Sequence, residues 1–390
     1  MRRWACLILV LGWLGVLCIG GWCQDIVTLT TWSIPTHNSL PQGLALTSDG
    51  RVFVAQFVGG SIGELNPTTN VVTERVVFGA PFDVCVYNDH YVYWTDSVAD
   101  RLGELSIDTG AAFAVQLPSS RGLARAIALG EASNGLDAVW FLERDGNRLT
   151  AHTLAGGRTG WFPQAPVLYS IEATRTDTQL SSDGFRVLQP STRYLYSEPA
   201  IAARAVYDGS SPKSERGFEI WDLPDVVGGR PCDLVTDVAN RRIIISTETN
   251  MLMTYDMLRR KFTLYSLPAG TSTHGLMLDN YRRIWYTDKR RSRISRFDFE
   301  TGELIEYQLP SIGWPQNLEL VQRGELLVFT EWASNKIGAI DLRTNELRRY
   351  ELPISMSRPL GIAADTTHIS AAYFTAERGN YIGRIEFPAQ

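Results

Sequence analysis

Short apolar segments separated by polar turns recur along most of the chain, and their order repeats at intervals of about 40 residues. One copy runs from the segment THGL (273–276) through WYTD (285–288) to Arg293-Ile294. Apolar runs of this length, separated by Asp, Asn and Gly turns, predict β-strands joined by hairpins. A strand-rich repeat of this period predicts a β-propeller, in which each repeat forms one blade and equivalent positions converge on a central axis.

Seven entry segments mark the starts of seven predicted blades. They are PQGL at 41–44, PFDV at 81–84, RAI at 125–127, PCDL at 231–234, THGL at 273–276, PQNL at 315–318 and PLGI at 359–362. The seventh repeat stops after its third strand, at 385–387, and the missing strand is found at the N-terminal end, at 26–35. We therefore predict an all-β, seven-bladed propeller with four-stranded blades, one domain over 24–390, whose ring is closed by the N-terminal strand so that no edge is left open there.

One blade carries an insertion at about 156–216, between Leu154 and the strand candidate at 217–224. A loop of this length in a compact domain is usually functional or disordered. Its aromatic residues, Trp161 and Tyr194 among them, favour an ordered excursion over one face of the propeller.

The N-terminal segment has the composition of a targeting sequence. Arg2 and Arg3 precede an apolar stretch that ends near Ile19, and small and polar residues follow. This order predicts a secretory signal peptide over residues 1–23, with an uncleaved membrane anchor as the alternative. We expect a secreted, periplasmic or otherwise extracytoplasmic protein. Export would permit a disulfide, but Cys85 and Cys232 belong to separate repeats and are expected to be small buried side chains.

The charge balance bears on possible partners. The chain has 37 basic and 42 acidic residues, a net charge of −5, and no basic stripe, so nucleic acid is not an expected partner. We expect a monomer that binds a small-molecule lactone, or a peptide or protein ligand, at the mouth of its channel.

Two sets of residues are predicted to meet at one mouth of the central channel. The first follows the entry residue: Gln42, Phe82, Arg125, Cys232, His274, Gln316 and Leu360. The second ends the second strand: Gln56, Asp96, Glu143, Glu248, Asp288, Glu331 and Ala376. Such a ring of carboxylates suits a hard cation, or acid–base chemistry beside His274. The alternative is that each acid accepts hydrogen bonds within its own blade.

The pattern P-x-G-I/L, then D-G-x-V/I-W-F-T-E, then N-x-I-G resembles the streptogramin B (virginiamycin B) lyases over nearly all of the chain outside the insertion. The resemblance implies opening of a cyclic depsipeptide lactone by elimination, with a glutamate-held magnesium ion and a histidine base. It implies that His274 is an active-site histidine and that Glu331 is a metal ligand, with Asp288 at the same rim. The family pattern at the sixth entry reads Glu-Pro-His-Gly, whereas this chain has Trp314, Pro315, Gln316 and Asn317.

Gln316 cannot remove a proton and Trp314 cannot bind magnesium, so the elimination activity is expected to be absent here. Two other functions remain open. One is metal-dependent lactone hydrolysis, resembling that of gluconolactonase-type enzymes, for which Glu143, Glu248 and Glu331 are the candidate ligands. The other is a binding scaffold in which Trp314, Trp332 and the aromatic insertion recognise a ligand or a protein.

Overall fold

The computed structural model describes residues 27–77, 79–118, 122–132, 135–154, 193–194, 204–208, 213–215, 218–224 and 229–388. Within these ranges the chain forms seven antiparallel sheets, and the only helix is a single 3-10 turn at Gln322–Gly324. This confirms the predicted seven-bladed β-propeller. The predicted leader at 1–23 lies outside the described residues, and those that are described contain no helix long and apolar enough to span a bilayer.

The first strand of each blade packs beside the first strands of the neighbouring blades, around the channel, and the later strands lie progressively outward. In blades 1 to 3 the four strands are Pro41–Leu46, Val52–Gln56, Ser61–Asn66 and Val71–Val76; Pro81–Tyr87, Tyr91–Asp96, Arg101–Ser106 and Ala112–Gln116; and Ala124–Glu131, Asp137–Glu143, Arg148–Thr153 and Phe218–Asp222. In blades 4 to 6 they are Pro231–Asp237, Arg242–Thr247, Met251–Asp256 and Lys261–Ser266; Thr273–Leu278, Ile284–Asp288, Arg293–Phe297 and Leu304–Gln308; and Pro315–Val321, Leu326–Glu331, Lys336–Asp341 and Leu347–Glu351.

Blade 7 joins the two ends of the chain. Its first three strands are Pro359–Ala364, Ala371–Ala376 and Tyr381–Glu386, and the fourth is the N-terminal strand Thr28–Ser33. The N-terminal strand pairs antiparallel with the third strand, so that Leu29 lies opposite Ile385. The predicted ring closure is therefore confirmed. The backbone hydrogen bonds of this pairing join the two chain ends and satisfy an edge that would otherwise be exposed.

The threonine of the repeated aromatic–Thr–acid step links neighbouring blades. The buried Thr287 hydroxyl donates to the carbonyl oxygen of Gln316 in the next blade, at 2.6 Å, and accepts from the amide of Gly275 in its own blade, at 2.9 Å. Thr95, Ser246, Thr330 and Thr375 make the same pair of contacts. A short hydroxyl side chain is needed because each group it pairs is a buried backbone group.

The glycine of the Ile-Gly step makes room for an aromatic ring. Gly338 lies opposite Phe329 on the adjacent strand, and a Cβ on Gly338 would come within 2.1 Å of that ring. The ring lies over the glycine backbone and fills the interface between blades together with Leu318 and Ile340. Close packing of large side chains supplies most of the hydrophobic stabilisation of such a ring.

The described parts of the insertion lie at the perimeter of the ring. Arg193–Tyr194, Arg204–Asp208 and Lys213–Glu215 pair as fifth strands with the outermost strands of blades 5, 4 and 3. For these parts, the expected excursion over one face is therefore replaced by pairing along outer edges. An outer strand offers a full row of unpaired amide and carbonyl groups, which favours this arrangement. The rest of 156–216, including Trp161, lies outside the described residues.

Candidate ligand-binding site at the channel mouth

Each first strand bulges directly after its entry residue. The pairing register shifts between Pro41 and Leu44 in blade 1 and between Pro315 and Leu318 in blade 6, and the other five blades shift at the equivalent place. A bulge places two residues of one strand opposite one of its partner and changes the direction of the side chains there. In this ring, the side chain of the residue after each entry therefore does not follow the alternation of side-chain directions in the rest of the strand.

The acids that end the second strands are held inside their own blades. Asp96 and Asp288 are fully buried, and one carboxylate oxygen of each accepts two or three backbone amide hydrogen bonds from the adjoining turns. Glu143 is also fully buried and accepts a hydrogen bond from Thr150, at 2.6 Å. Burial raises the pKa of Asp288 to about 7. The structure thus supports the alternative in which these acids accept hydrogen bonds within their blades.

Glu331 is the most tightly held of these acids. Arg349, from the fourth strand of the same blade, donates from Nε to Oε1 at 2.7 Å and from Nη2 to Oε2. The Ser334 hydroxyl donates to Oε2 at 2.6 Å. The carboxylate is fully buried, and the loop backbone at Gly313 packs against Oε2. Both oxygens of Glu331 are therefore committed to a bidentate ion pair, which fixes its orientation.

The residues one position further along the chain begin the turns that follow the second strands. They are Phe57, Ser97, Arg144, Glu248, Lys289, Trp332 and Glu377. Glu248 belongs to this set, because the residue paired with Pro231 at the end of the second strand of blade 4 is Thr247. Two contacts join this set to the residue that follows the entry residue of the next blade. Phe57 packs edge-on against Phe82, and Glu377 accepts a hydrogen bond from Gln42 at 3.4 Å.

His274 lies at this mouth beside basic side chains. Its Nδ1 is buried and makes no hydrogen bond of good geometry, although the backbone of Gln316 is near enough to the ring to raise its pKa. Burial, and then the charges of Lys289, Arg125 and Arg144, lower the pKa of His274 to about 3. The imidazole is therefore neutral at physiological pH, and its low pKa makes it a weak base.

Trp314 and Trp332 form the centre of a four-layer stack. Their rings are 5.6 Å apart and nearly parallel, at 15°. Arg358 lies over the outer face of Trp332, at 4.1 Å, and the Lys289 ammonium is 5.8 Å from the Trp314 ring. Trp332 also donates from Nε1 to Glu377, at 2.8 Å. The aromatic faces already contact cations, so the pair acts as a wall of the mouth that carries positive charge on both sides.

Gln316 is buried below this stack, and its side-chain amide donates to the carbonyl oxygen of Trp314, at 3.3 Å. Gln42, at the equivalent position of blade 1, makes the same bond to Leu40. Trp314 and Leu40 each stand two positions before one of these glutamines, and both have a positive φ, of 48° and 51°. Gln316 therefore has a structural role that recurs in another blade.

Two aspartates in the channel wall were not among the predicted site residues. Asp83 directly follows Phe82 in blade 2, and Asp233 directly follows Cys232 in blade 4. Asp83 accepts a hydrogen bond from the amide of Ile127 in the next blade, at 3.3 Å, and Asp233 accepts one from the amide of Leu276, at 2.8 Å. Burial, and then the charge of Asp233, raise the pKa of Asp83 to about 8; burial raises that of Asp233 to about 6. Other repeats have glycine at this position, as at Gly275, so an aspartate there is a departure from the repeat that the sequence already shows.

Comparison with known proteins identifies the relatives of this mouth and its ring. Residues 248–390 match the model of the virginiamycin B lyase family. A streptogramin B lyase structure superimposes with a TM-score of 0.70 and 19% identity, covering 93% of this chain and 98% of that one. The chain is a β-propeller similar in fold to the virginiamycin B lyases, and its residues 248–390 match the model of that family.

Another similar structure is a catalytically inactive histidine-to-alanine variant of the virginiamycin B lyase from Staphylococcus aureus with quinupristin, at a TM-score of 0.69 and 18% identity, covering 92% of this chain and 99% of that one. The hydrazine synthase of Kuenenia stuttgartiensis reaches a TM-score of 0.64 at 9% identity, with coverages of 92% and 98%. Likeness at these identities therefore establishes the fold alone. A search of curated protein sequences gives no match.

The donors of this virginiamycin B lyase-like propeller do not fit the magnesium site that the resemblance implies. Glu331 is bound by Arg349 through both oxygens, and the side chain of Trp314 has no oxygen to offer. Asp288 keeps one oxygen without a hydrogen bond, but Arg291 Nε lies 3.7 Å from it. Across the described part of the chain, no three His, Cys, Asp or Glu side chains converge as metal ligands. The candidate ligands for lactone hydrolysis, Glu143, Glu248 and Glu331, do not form a metal site either, since Glu248 is already paired with Arg144.

Proposed function

We propose that this virginiamycin B lyase-like propeller binds a small ligand at its channel mouth and does not catalyse the magnesium-dependent elimination. The observation that carries the proposal is the ion pair between Glu331 and Arg349. A guanidinium that already occupies both oxygens of a buried carboxylate competes directly with any cation for the same lone pairs.

Two further observations support the loss of elimination chemistry. The position that the resemblance gives to the base is filled by Gln316, whose amide is bonded to the Trp314 carbonyl. His274 remains, but its pKa of about 3 leaves it a poor acceptor for the proton of an activated ester. What persists is a channel mouth with aromatic, basic and amide side chains, residue types that can bind a small ligand.

The test of activity uses the full chain and quinupristin, with and without Mg²⁺, and runs the S. aureus lyase in parallel to show that the assay works. We expect unchanged quinupristin with this protein. A magnesium-dependent ring-opened product of unchanged mass would overturn the proposal. A product that has gained one water would leave the absence of elimination standing and would show the alternative activity, lactone hydrolysis.

Binding at the mouth is tested separately. A thermal-shift screen of lactones, short peptides and small carboxylates should give compounds that stabilise the wild type and not Cys232→Trp, because Cys232 lies at the mouth between the entries of blades 3 and 5. If no compound stabilises the wild type more than this blocked variant, the mouth is not a ligand site.

Export is part of the proposal and is supported by the basic, apolar and polar order of residues 1–23. N-terminal sequencing of the protein from its source would give a start near residue 24. A start at Met1 in a membrane fraction would favour the anchor.

A further inference from the structure

Basic side chains gather on one side of the mouth, on blades 3 to 5. Arg125 and His274 are the mouth residues of blades 3 and 5, and Arg144 and Lys289 follow the second strands of the same two blades. Cys232, the mouth residue of blade 4, lies between them in the ring order. The Arg125 guanidinium lies 4.4 Å over the Phe82 ring and the Lys289 ammonium 5.8 Å from the Trp314 ring, on either side of His274 in the ring order, and both charges lower the pKa of His274.

Most of the acidic side chains near this cluster are already paired with other basic groups. Glu248 accepts from Arg144 through both Nε and Nη2. Asp145 is 3.4 Å from Arg144 and 3.2 Å from Arg230. Glu248 and Asp145 are the carboxylates whose charges act on Arg125. Since both already pair with other arginines, neither forms an ion pair with Arg125.

Arg125 is a basic side chain of this cluster that these acids leave without an ion pair. Within the described part of the chain no carboxylate pairs with it, and its guanidinium carbon stands 4.4 Å over the Phe82 ring. Its Nε is buried and has no hydrogen-bond partner. Burial and the charge of Arg144 lower the pKa of Arg125 more than the charges of Asp145 and Glu248 raise it. A buried donor left unmade costs roughly 1–3 kcal/mol, and more for a charged group.

His274 presents a second unmade polar atom to the same region. Its Nδ1 is buried without a hydrogen bond of good geometry, while Ser246 fixes the backbone of the residue by donating to its carbonyl oxygen at 2.7 Å. Two buried nitrogens without hydrogen bonds of good geometry, from two blades that flank one small side chain, are the arrangement that a bound anion would satisfy.

We propose that the mouth binds a small anion, the carboxylate or phosphate group of its ligand, between the Arg125 guanidinium, the His274 imidazole and the Lys289 ammonium. This inference rests on the proposed function, since it names the ligand class of the same mouth. The planar guanidinium fork matches the geometry of two anionic oxygens, and Phe82 holds that plane in place by stacking. Partial burial strengthens the attraction relative to water.

The probes are inorganic phosphate and acetate, titrated into the full chain by calorimetry at constant ionic strength in chloride. We expect saturable binding of at least one probe at a single site. Arg125→Gln keeps a planar amide against Phe82 and removes the charge, and it should weaken binding at least about tenfold. Arg101→Gln is the matched control, because Arg101 lies on the third strand of blade 2 and donates from Nε to Gln116, and its loss should leave the affinity unchanged.

The two probes separate the two possible sources, since tighter phosphate binding indicates a phosphoryl group and tighter acetate binding a carboxylate. If Arg125→Gln fails to fold, Arg125→Lys keeps the charge without the fork and should bind more weakly than the wild type. The proposal is overturned if neither probe binds beyond the effect of chloride, or if the Arg125 variants bind as the wild type does. The quinupristin assay reads the proposed function independently, so the two failures are distinguishable.

Discussion

Arg349 binds Glu331 across the sheet of blade 6, from the fourth strand to the end of the second, with Nε 2.7 Å from Oε1. The Ser311 and Ser334 hydroxyls, at 2.9 Å and 3.3 Å from Nη2, complete the surroundings of the guanidinium. The pair joins the outer edge of the blade to the loop that carries Trp314. It therefore supports the wall of the mouth from behind.

Arg349→Met should destabilise the fold strongly, because it leaves the buried Glu331 carboxylate without its partner. Removing one member of a buried pair costs about 3–5 kcal/mol. Arg349→Met/Glu331→Met should recover part of that loss. The measurement is the free energy of unfolding in urea. Lys336→Met is the control, since Lys336 and Glu351 form a pair at 4.0 Å in which Glu351 is exposed, and it should change stability by less than about 1 kcal/mol. Equal effects of the two single variants would contradict the role given to Arg349.

The sequence pattern predicts the positions of the blade acids along the chain but not the directions of their side chains. The repeat predicted the blades, the aromatic–Thr–acid step and the closing strand, because each depends on local periodicity. It did not predict that the Glu331 side chain turns into the blade. That direction depends on the position of Glu331 in the alternation of the strand Leu326–Glu331, in which every residue is buried, so that the sequence does not show which face is which. A one-residue shift moves a side chain to the other face of a strand.

The partners of these residues were also not readable from the chain. Arg349 lies in an alternating outer strand in which Arg348 and Glu351 look equally solvent-facing. Thr247 and Glu248 together resemble the Thr–acid step, which predicts that Glu248 is one of the blade acids, but Thr247 takes the acid's place in the register. Sequence therefore predicted the architecture, while the contacts of the site depended on which side chains face each other across strands.

Thr287→Val should weaken the junction between blades 5 and 6. The substitution keeps the shape of the side chain but leaves the Gln316 carbonyl and the Gly275 amide without their buried partner. The expected loss is about 1–3 kcal/mol in the free energy of unfolding. Thr287→Ser keeps the hydroxyl and should retain most of the stability. If the valine variant were as stable as the serine variant, the hydroxyl would not link the blades.

Asp83 should make the stability of the propeller fall as the pH rises. Its folded-state pKa of about 8 lies above the ordinary value of 3.8, so the folded chain holds this proton more tightly than the unfolded chain. The stabilisation is complete below about pH 4 and is lost as the pH rises through 8, with a slope of up to about 1.4 kcal/mol per pH unit. Asp233, with a pKa of about 6, adds to the slope at lower pH.

Asp83→Asn should flatten that dependence between pH 5 and pH 8, measured from urea midpoints at several pH values. Asp89→Asn, in the turn between the first two strands of the same blade, is the control and should keep the wild-type slope. A wild-type stability that rises over this range would contradict the protonated Asp83.

Restoring the family's letters at the sixth entry should not be enough to restore a metal site. In Trp314→Glu/Gln316→His, Glu331 would still be held by Arg349 through both oxygens. We expect no stabilisation of this double variant by Mg²⁺. Adding Arg349→Leu removes the competing cation and leaves two unpaired carboxylates close together, which a divalent cation would neutralise.

The measurement for this series is the melting temperature with increasing Mg²⁺, because a ligand that binds only the folded chain raises it in proportion to the logarithm of its concentration. The triple variant should show that rise, and Arg349→Leu alone, with Trp314 in place, should not. Magnesium-dependent opening of quinupristin by the double variant would show that Glu331 releases Arg349 readily, and the ion pair would then not explain the loss of elimination.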